Sequence, residues 1–243
     1  MLQIYDFNNW VRKYIHAGAD MRAFITEIAK TSEHVPMIWV CDGFNCNERR
    51  RKIYPEYKKS REAPGEDVFA FMDFIKEALR FTNALRVEVP YYEADDVIAY
   101  LAPKYRPCKV FSTDADLWAL KIHKGIELPA RESFHCEPHL VHLYKAIVGD
   151  KSDNIPGVRG VGHATFSNWV NFEKEFPSKI EEAAEEVEKF LKITQFILPP
   201  EEEIDKHTYK GTLDYDALEK LMNEAGLVGS PVNKPNSFDI GDI

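Results

Sequence analysis

The chain has 243 residues, of which 44% are apolar and 29% are charged, and its formal net charge is −9. These values are typical of a globular protein with room for one α/β domain and a small helical subdomain. The sequence holds no run of 18 apolar residues and opens on a strand-like segment at 2–6, so we expect neither a membrane span nor a signal peptide. Four cysteines without a CxxC pair favour reduced thiols over zinc ligands or disulfides.

Short apolar runs that each end in an aspartate alternate with segments of helical periodicity. The strands are predicted at 2–6, 37–41 and 109–113, and the helices at 21–29, 68–79 and 97–101. This alternation predicts an α/β fold with a central, mostly parallel, twisted sheet flanked by helices. The carboxyl ends of such strands are where α/β folds gather functional residues.

From about residue 138 the pattern becomes helical. Leu140, Leu143 and Ile147 mark one helix, a glycine-rich loop follows at 157–162, and an acidic helix is predicted over 180–191. We therefore predict three parts: a core at 1–138, a helical region at 139–228, and a Pro/Gly/Asn-rich disordered tail at 229–243.

Nine carboxylates stand in five clusters near the predicted strand ends and helix starts. They are Asp6; Asp42; Glu93, Asp95 and Asp96; Asp114 and Asp116; and Asp150 and Asp153. One strand-end aspartate is as easily a helix N-cap, but three strands ending in this way favour a shared site. Like charges share a pocket only when cations neutralise them, and carboxylate oxygens suit Mg²⁺ or Mn²⁺. The pattern predicts a two-metal site that cleaves phosphodiester bonds.

A basic segment indicates what such a site acts on. Residues 49–61 hold seven basic side chains against one acidic side chain, with two tyrosines between them. Taken alone, a basic run is usually a solvated surface, but an acidic metal site beside it fits a phosphate-backbone substrate. Without the nine clustered acids the chain is formally neutral, so its net charge does not exclude nucleic acid.

The segment 149–162 combines acids with glycines. Asp150 and Asp153 are three residues apart and are predicted to face one way across a helical turn. Gly157, Gly160 and Gly162 predict a tight hairpin whose backbone approaches phosphate closely. A helix predicted to start near His163 offers its N-terminus to an anion.

Together these motifs resemble the bacterial and bacteriophage 5′→3′ exonuclease/flap endonuclease family, which also supplies the 5′ nuclease domain of bacterial DNA polymerase I. The resemblance covers roughly residues 1–170. Its motifs are Tyr-Asp-Phe-Asn-Asn-Trp at 5–10, Cys-Asp-Gly at 41–43, Tyr-Pro-Glu-Tyr-Lys-Lys-Ser-Arg at 54–61, Glu-Ala-Asp-Asp at 93–96, Ser-Thr-Asp-Ala-Asp at 112–116, and Gly-Asp-Lys-Ser-Asp-Asn-Ile-Pro-Gly-Val at 149–158.

The resemblance implies a role for each motif. Asp6, Asp42, Glu93, Asp95 and Asp96 would serve mainly one metal ion, and Asp114, Asp116, Asp150 and Asp153 mainly a second. Lys58 would stabilise the attacked phosphate with help from Arg61, and Tyr57 would stack on a nucleobase. Residues 149–172 would form a helix–three-turn–helix that grips duplex DNA and often holds K⁺ on backbone carbonyls. The DNA contacts expected in that element are Lys151, Gly157, Arg159, Gly160, Gly162 and His163.

We therefore expect a Mg²⁺- or Mn²⁺-dependent enzyme that hydrolyses DNA at 5′ ends, nicks, flaps or single-strand/duplex junctions. By the resemblance it is a monomer of the bacterial or phage-infected cytoplasm. Its arch, at 57–67, is short and broken by Pro64, which leaves the balance of exonuclease against flap cutting open. The alternatives are an RNA-directed nuclease of the PIN or RNase H type, with RNA–DNA hybrid as a substrate, and a non-catalytic protein that binds DNA junctions.

Overall fold

The protein is built on one six-stranded sheet. The computed structural model describes residues 1–129, 135–172, 175, 177–227 and 229. The strands are β1 Leu2–Asp6, β2 Met37–Val40, β3 Leu85–Val87, β4 Cys108–Phe111, β5 Ile126–Glu127 and β6 Thr208–Lys210. Their order is β5-β4-β1-β2-β3-β6, and all neighbours are parallel except β3 and β6. The predicted α/β fold with a mostly parallel central sheet is confirmed.

Eleven α-helices lie in the described part of the chain. They are α1 Phe7–His16, α2 Met21–His34, α3 Glu48–Ile53, α4 Glu66–Ala78, α5 Ala94–Lys104, α6 Val141–Val148, α7 His163–Val170, α8 Ser178–Glu182, α9 Ala184–Thr194, α10 Glu201–Lys206 and α11 Tyr215–Glu224. The acidic helix predicted over 180–191 is thus two helices that meet at Ala183. None of the helices described is long and apolar enough to cross a membrane.

Both faces of the sheet are buried because β1 and its neighbours are apolar on both sides. On one face the ring of Tyr5 stacks on Trp39 at 4.3 Å and on Phe111 at 4.4 Å, measured between ring centroids. This face packs against α1, α2, α4 and α11. On the other face Ile4 joins a second core with α5. The free thiols of Cys41 and Cys108 are buried in the first and second core, respectively.

Asp6 marks the point where β1 passes directly into α1. Its carboxylate accepts a hydrogen bond from the N–H of Asn9 at 3.1 Å and so caps the helix. The sequence analysis gave no helix at this position. Helix α1 therefore begins at the carboxyl edge of the sheet.

Parts of the predicted helical region at 139–228 belong to the main sheet and its core. β6 pairs with β3 in the main sheet, and Leu218 and Met222 of α11 lie in the first core. Only the middle of the predicted helical region has a core of its own, around Tyr144, Ile147 and Phe166. The sequence Thr-Tyr-Lys of β6 carries no apolar alternation, which is why the strand was missed. The predicted disordered tail at 229–243 lies outside the described residues apart from Gly229.

Candidate active site

The carboxyl ends of the parallel strands border a cleft of about 250 Å³. Because β1 lies between β2 and β4 in register, the acids that end or follow these strands meet at one edge of the sheet. The cleft is lined by Asp6, Asn8, Asn9, Arg12, Lys13, His16, Asp42, Lys58, Arg61, Glu93, Ala94, Asp95 and Asp114. Five of the nine predicted metal ligands are in this lining, and both predicted catalytic cations are with them.

The start of α5 adds carboxylates from a neighbouring loop. Glu93 is the N-cap residue of the helix, and Asp95 follows in its first turn. One carboxylate oxygen each from Asp95, Asp114 and Asp116 lies within 4.8 Å of the others. The N–H of Asp116 donates to Asp114 Oδ1 at 2.9 Å, which fixes the turn after β4. These three acids form a compact group that we name the carboxylate triad.

Burial and mutual repulsion disfavour the ionised form of these acids. Burial, followed by the charges of Asp42 and Asp114, raises the pKa of Asp6 to about 7. Burial, followed by Asp114 and Asp6, raises the pKa of Asp95 well above its usual value. Burial also raises the pKa of Asp116 to about 7. A bound cation would offset this repulsion and so favour the ionised form of these acids.

The donor set fits a hard divalent ion. Asp95 Oδ1 is buried and has no hydrogen-bond partner among the described residues. A buried carboxylate oxygen without a partner is costly unless it binds a cation. The triad offers only carboxylate oxygens, which are the ligands that Mg²⁺ and Mn²⁺ take.

The two predicted catalytic cations stand on one wall of the cleft. Lys58 Nζ forms an ion pair with Glu93 and lies 3.9 Å from Asp153 Oδ1. Burial lowers the pKa of Lys58, but Glu93 and Asp153 outweigh burial and the pKa is raised. Arg61 Nη2 lies 2.8 Å from Asp153 Oδ1, and its guanidinium remains about half exposed. Both side chains therefore stay charged beside the carboxylates.

Tyr57, for which the resemblance implied base stacking, is buried in the structure. Its side chain is only 2% exposed and packs in a small core with Ile155 and Phe190. Its hydroxyl donates to Glu93 Oε2 at 3.0 Å. A tyrosine with a buried ring and a satisfied hydroxyl has no face left for a nucleobase. In the structure its hydroxyl instead helps to fix the position of the Glu93 carboxylate.

Asp96, a predicted metal ligand, is paired with an arginine in the structure. It is fully buried, and both of its oxygens accept hydrogen bonds at 2.7 Å from the guanidinium of Arg50. The N–H of Ile197 also donates to Asp96 Oδ1 at 2.8 Å. Arg50 lies 3.0 Å from Glu93 as well, so this arginine of the basic segment is buried between two carboxylates. The sequence analysis missed the pair because Asp96 and Arg50 come from distant segments.

Two of the remaining acids, Asp116 and Asp150, share a lysine that the sequence analysis also missed. Lys145 of α6 is buried, and its ammonium group pairs with both Asp116 and Asp150, the latter at 2.7 Å. Burial lowers the pKa of Lys145, but the two carboxylates outweigh burial and the pKa is raised. The sequence signal for this residue was a lysine on the apolar face of a predicted helix, where a charge requires a partner.

Helix α1 contributes a second wall that the sequence analysis did not anticipate. Asn8 Nδ2 donates to Asp42 Oδ2 at 2.7 Å, which orients that carboxylate. Arg12, Lys13 and His16 also line the cleft. Residues 8, 12 and 16 share one helix face at a spacing of four, and this would have revealed them had the helix been predicted.

The segment 149–162 forms a loop between α6 and α7. Asp150 and Ile155 form an isolated antiparallel bridge, so Asp150 and Asp153 lie on a tight turn and not on the predicted helical turn. Gly157 has φ +69°, and a Cβ there would lie 2.5 Å from backbone atoms of Val148 and Gly149. Of the DNA contacts expected in this region, Lys151, Arg159, Gly160, Gly162 and His163 are exposed, and Gly157 is partly exposed.

Comparison with known proteins gives the family of the chain. A family model described as the 5′-3′ exonuclease, N-terminal resolvase-like domain matches residues 6–140, which is more than half of the chain. The chain belongs to this 5′-3′ exonuclease family. The resemblance drawn from the motifs is therefore confirmed.

Two curated relatives of this exonuclease-family chain are similar over part of their length. A 5′-3′ exonuclease of Aquifex aeolicus is 35% identical over an alignment of 174 positions, and the match covers 60% of each protein. The thermostable DNA polymerase I of Thermus aquaticus is 37% identical over an alignment of 130 positions, and the match covers 48% of this chain and 16% of the polymerase. The chain thus spans less than two thirds of these relatives.

Solved structures share the fold. A zinc-bound T5 5′-exonuclease has a TM-score of 0.61 and 19% identity, with 91% of this chain and 98% of the T5 chain covered. A T5 flap endonuclease in a pseudo-enzyme-product complex with DNA and metal ions has a TM-score of 0.57 and 18% identity, with 93% and 98% covered. At this identity the likeness concerns the fold.

Proposed function

We propose that this chain is a nuclease that hydrolyses DNA phosphodiester bonds with divalent metal ions, at 5′ ends and single-strand/duplex junctions. The observation that carries the proposal is the carboxylate triad of Asp95, Asp114 and Asp116 beside a cleft with Lys58 and Arg61 on its wall. Membership of the 5′-3′ exonuclease family supports the same activity.

The acids divide into two groups that would hold two ions, Mg²⁺ or Mn²⁺. Asp6, Asp42 and Glu93 line the cleft together, and the carboxylate triad lies beside them. Bound divalent ions supply Lewis acidity and lower the pKa of water at the site. Asn8 and Ser112 hold the first group in place, since Asn8 donates to Asp42 at 2.7 Å and Ser112 Oγ donates to Asp6 at 2.8 Å.

Lys58 and Arg61 would act on the phosphate that is attacked. Both are fixed before the substrate arrives, Lys58 by Glu93 and Arg61 by the carbonyl of Ser152 at 3.0 Å. Preorganised cations stabilise charge that develops on phosphate oxygens without reorganisation during the reaction. Arg12 and Lys13 on the opposite wall would neutralise neighbouring phosphates.

The loop between α6 and α7 would hold the duplex. Its exposed glycines, Gly160 and Gly162, and the partly exposed Gly157 let the backbone approach a phosphate, and Lys151 and Arg159 add exposed positive charge. His163 opens α7, whose first N–H groups favour an anion. A K⁺ ion on carbonyls of this element, and the monomeric state, stay predictions.

The segment 57–67 would leave the cleft open to solvent and would not form a closed arch over it. Between Ile53 and Glu66 the described residues form turns and irregular chain and no helix. Arg61 is tied to the 150–155 turn, so only four residues, 62–65, connect it to α4. At about 3.6 Å per residue, four residues are too short to enclose a threaded strand. We therefore propose mainly exonucleolytic release of short products from 5′ ends and nicks.

The decisive experiment is digestion of 5′-labelled blunt, nicked, flap and RNA–DNA hybrid duplexes in Mg²⁺, in Mn²⁺ and in EDTA. We expect short products from nicked and blunt DNA in either metal and none in EDTA. Cleavage of the hybrid alone would favour an RNA-directed nuclease. Binding to junctions without cleavage in any metal would favour the non-catalytic alternative.

A further inference from the structure

Two aromatic side chains stand exposed beside the cleft, on loops that follow neighbouring strands. Phe44 follows β2 and is 71% exposed, and Tyr91 follows β3 and is 42% exposed. Each is two residues from a carboxylate that lines the cleft, Asp42 in one case and Glu93 in the other. Two residues extend at most about 7 Å, so the backbone of Phe44 and that of Tyr91 lie close to the cleft.

Backbone contacts hold these two loops against each other. The N–H of Tyr91 donates to the carbonyl oxygen of Phe44 at 2.8 Å, and the N–H of Gly43 donates to that of Tyr92 at 3.0 Å. A Cβ on Gly43 would lie 1.8 Å from the carbonyl oxygen of Val89, so the loops meet only because this residue is glycine. Tyr91 adopts φ +67°, a conformation that persists in bulky residues only where the surroundings impose it. The aromatic pair is therefore presented by a fixed backbone.

Positive charge flanks the pair. The guanidinium of Arg49 is exposed and lies 4.3 Å from the ring centroid of Tyr92, the neighbour of Tyr91. Arg51 and Lys52 follow on α3. Exposed aromatic faces next to cations, beside a phosphate-binding cleft, have the chemistry that holds single-stranded nucleic acid: bases stack on the rings and cations neutralise the backbone.

We propose that Phe44 and Tyr91 stack on an unpaired nucleobase next to the scissile phosphate, with Arg49 contacting the backbone of the same strand. This inference rests on the proposed nuclease function and deepens it. It places base stacking at the rim of the cleft formed by the loops after β2 and β3, and not at the buried Tyr57. The pair thereby favours substrates whose strand is unpaired at the cut.

The test first maps the cut made by the wild-type chain in Mg²⁺, and then places 2-aminopurine at the unpaired nucleotide beside it. Binding is measured in Ca²⁺ by fluorescence. We expect stacking to quench the probe, and Phe44→Ala and Tyr91→Ala to reduce quenching and weaken binding by roughly 5- to 100-fold. Tyr105→Ala is the control: this tyrosine is 44% exposed at the far end of α5. The helix length puts it about 16 Å from the cleft, and it should behave as wild type.

A substrate with an abasic nucleotide at the probed position isolates the stacking contact. We expect wild type and Phe44→Ala to bind the abasic substrate equally, and Phe44→Leu, which is apolar without a ring, to behave as Phe44→Ala on the normal substrate. Because base and abasic substrates are compared within each variant, a general loss of stability affects both alike.

Two results would overturn the proposal. A penalty of equal size on both substrates would mean that the rings do not touch the base, and full binding by Phe44→Leu would mean a generic apolar contact, as with a protein partner. Failure of the wild-type chain to cut any DNA would instead reject the nuclease function, so the two failures are distinguishable.

Discussion

The backbone N–H of Lys58 donates a hydrogen bond to the carbonyl oxygen of Asp153 at 3.0 Å. This contact joins the basic segment to the turn at 150–155, and Asn154 Nδ2 strengthens it by donating to the carbonyl of Glu56 at 2.9 Å. Lys58 adopts φ +52° at this junction. These hydrogen bonds fix Lys58 relative to the proposed duplex-binding loop. A duplex bound by the loop should therefore be aligned with the cleft.

Lys58→Ala is expected to lower the single-turnover rate of DNA cleavage by roughly 10²–10³, the effect of losing one preorganised donor to a developing charge. DNA affinity should change little because several other cations contact the backbone. The matched control is Lys59→Ala, since Lys59 is exposed and pairs only with its neighbour Glu56 among the described residues. A Lys58→Ala chain that lost affinity and kept its rate would be a docking variant and would contradict this role.

Two adjacent acids, Asp95 and Asp96, should respond in opposite ways to the same change. Asp95→Asn removes a buried acid, one oxygen of which has no hydrogen-bond partner among the described residues. The melting temperature in EDTA should therefore rise, and its further increase on adding Mg²⁺ should be smaller than in the wild type. Asp96→Asn breaks the buried pair with Arg50 and should lower the unfolding free energy by on the order of 3 kcal/mol, with and without metal. If Asp96→Asn removed the Mg²⁺-induced rise while leaving the EDTA melting temperature unchanged, Asp96 would be a metal ligand.

The strand-end acids were predictable from the sequence because apolar runs that end in aspartate have a fixed consequence in a parallel sheet. The alternation of strands and helices was enough to predict that Asp6, Asp42 and Asp114 lie close together. Tyr57 and Asp96 have the same local pattern as functional residues, and only long-range partners reveal their structural roles. No sequence neighbour of Asp96 indicates Arg50, 46 positions away.

Helix α1 and Lys145 are features of the site that the sequence analysis missed. The helix was overlooked because Asp6 was treated as the end of a strand, although its carboxylate also caps the helix that follows. Lys145 acquires its role only when α6 is packed beside the turn after β4, which brings Asp116 within reach. Such contacts depend on tertiary packing, which periodicity does not specify.

Gly162→Asp should weaken duplex binding several-fold, because an exposed negative charge at the start of α7 repels the phosphate backbone. The control is Gly162→Ala: no atom lies within 4 Å of a Cβ at this position, so the added methyl group should cost little. Binding is measured by fluorescence anisotropy on duplex and on mostly single-stranded DNA. An equal loss on both substrates would indicate that the loop does not hold the duplex.

A protein cap on the 5′ end of a flap, such as streptavidin on biotin, distinguishes an open cleft from a threaded arch. With no helix between Ile53 and Glu66 in the described chain, we expect a capped flap still to be cut at the junction, more slowly than a free flap. Complete inhibition by the cap, together with rapid cutting of long free flaps, would mean that the strand threads through an enclosed passage.

The central claim is that the carboxylate triad holds one of the two divalent ions that phosphodiester hydrolysis requires. Its most direct test is single-turnover cleavage of 5′-labelled nicked DNA by the wild-type chain and by Asp114→Asn, in Mg²⁺ and in EDTA, with DNA affinity measured in parallel. We predict cleavage by the wild-type chain in Mg²⁺ only, loss of at least about 10³ in rate for Asp114→Asn, and unchanged or tighter DNA binding by the variant. Wild-type turnover by Asp114→Asn in Mg²⁺, or cleavage in EDTA, would contradict the claim.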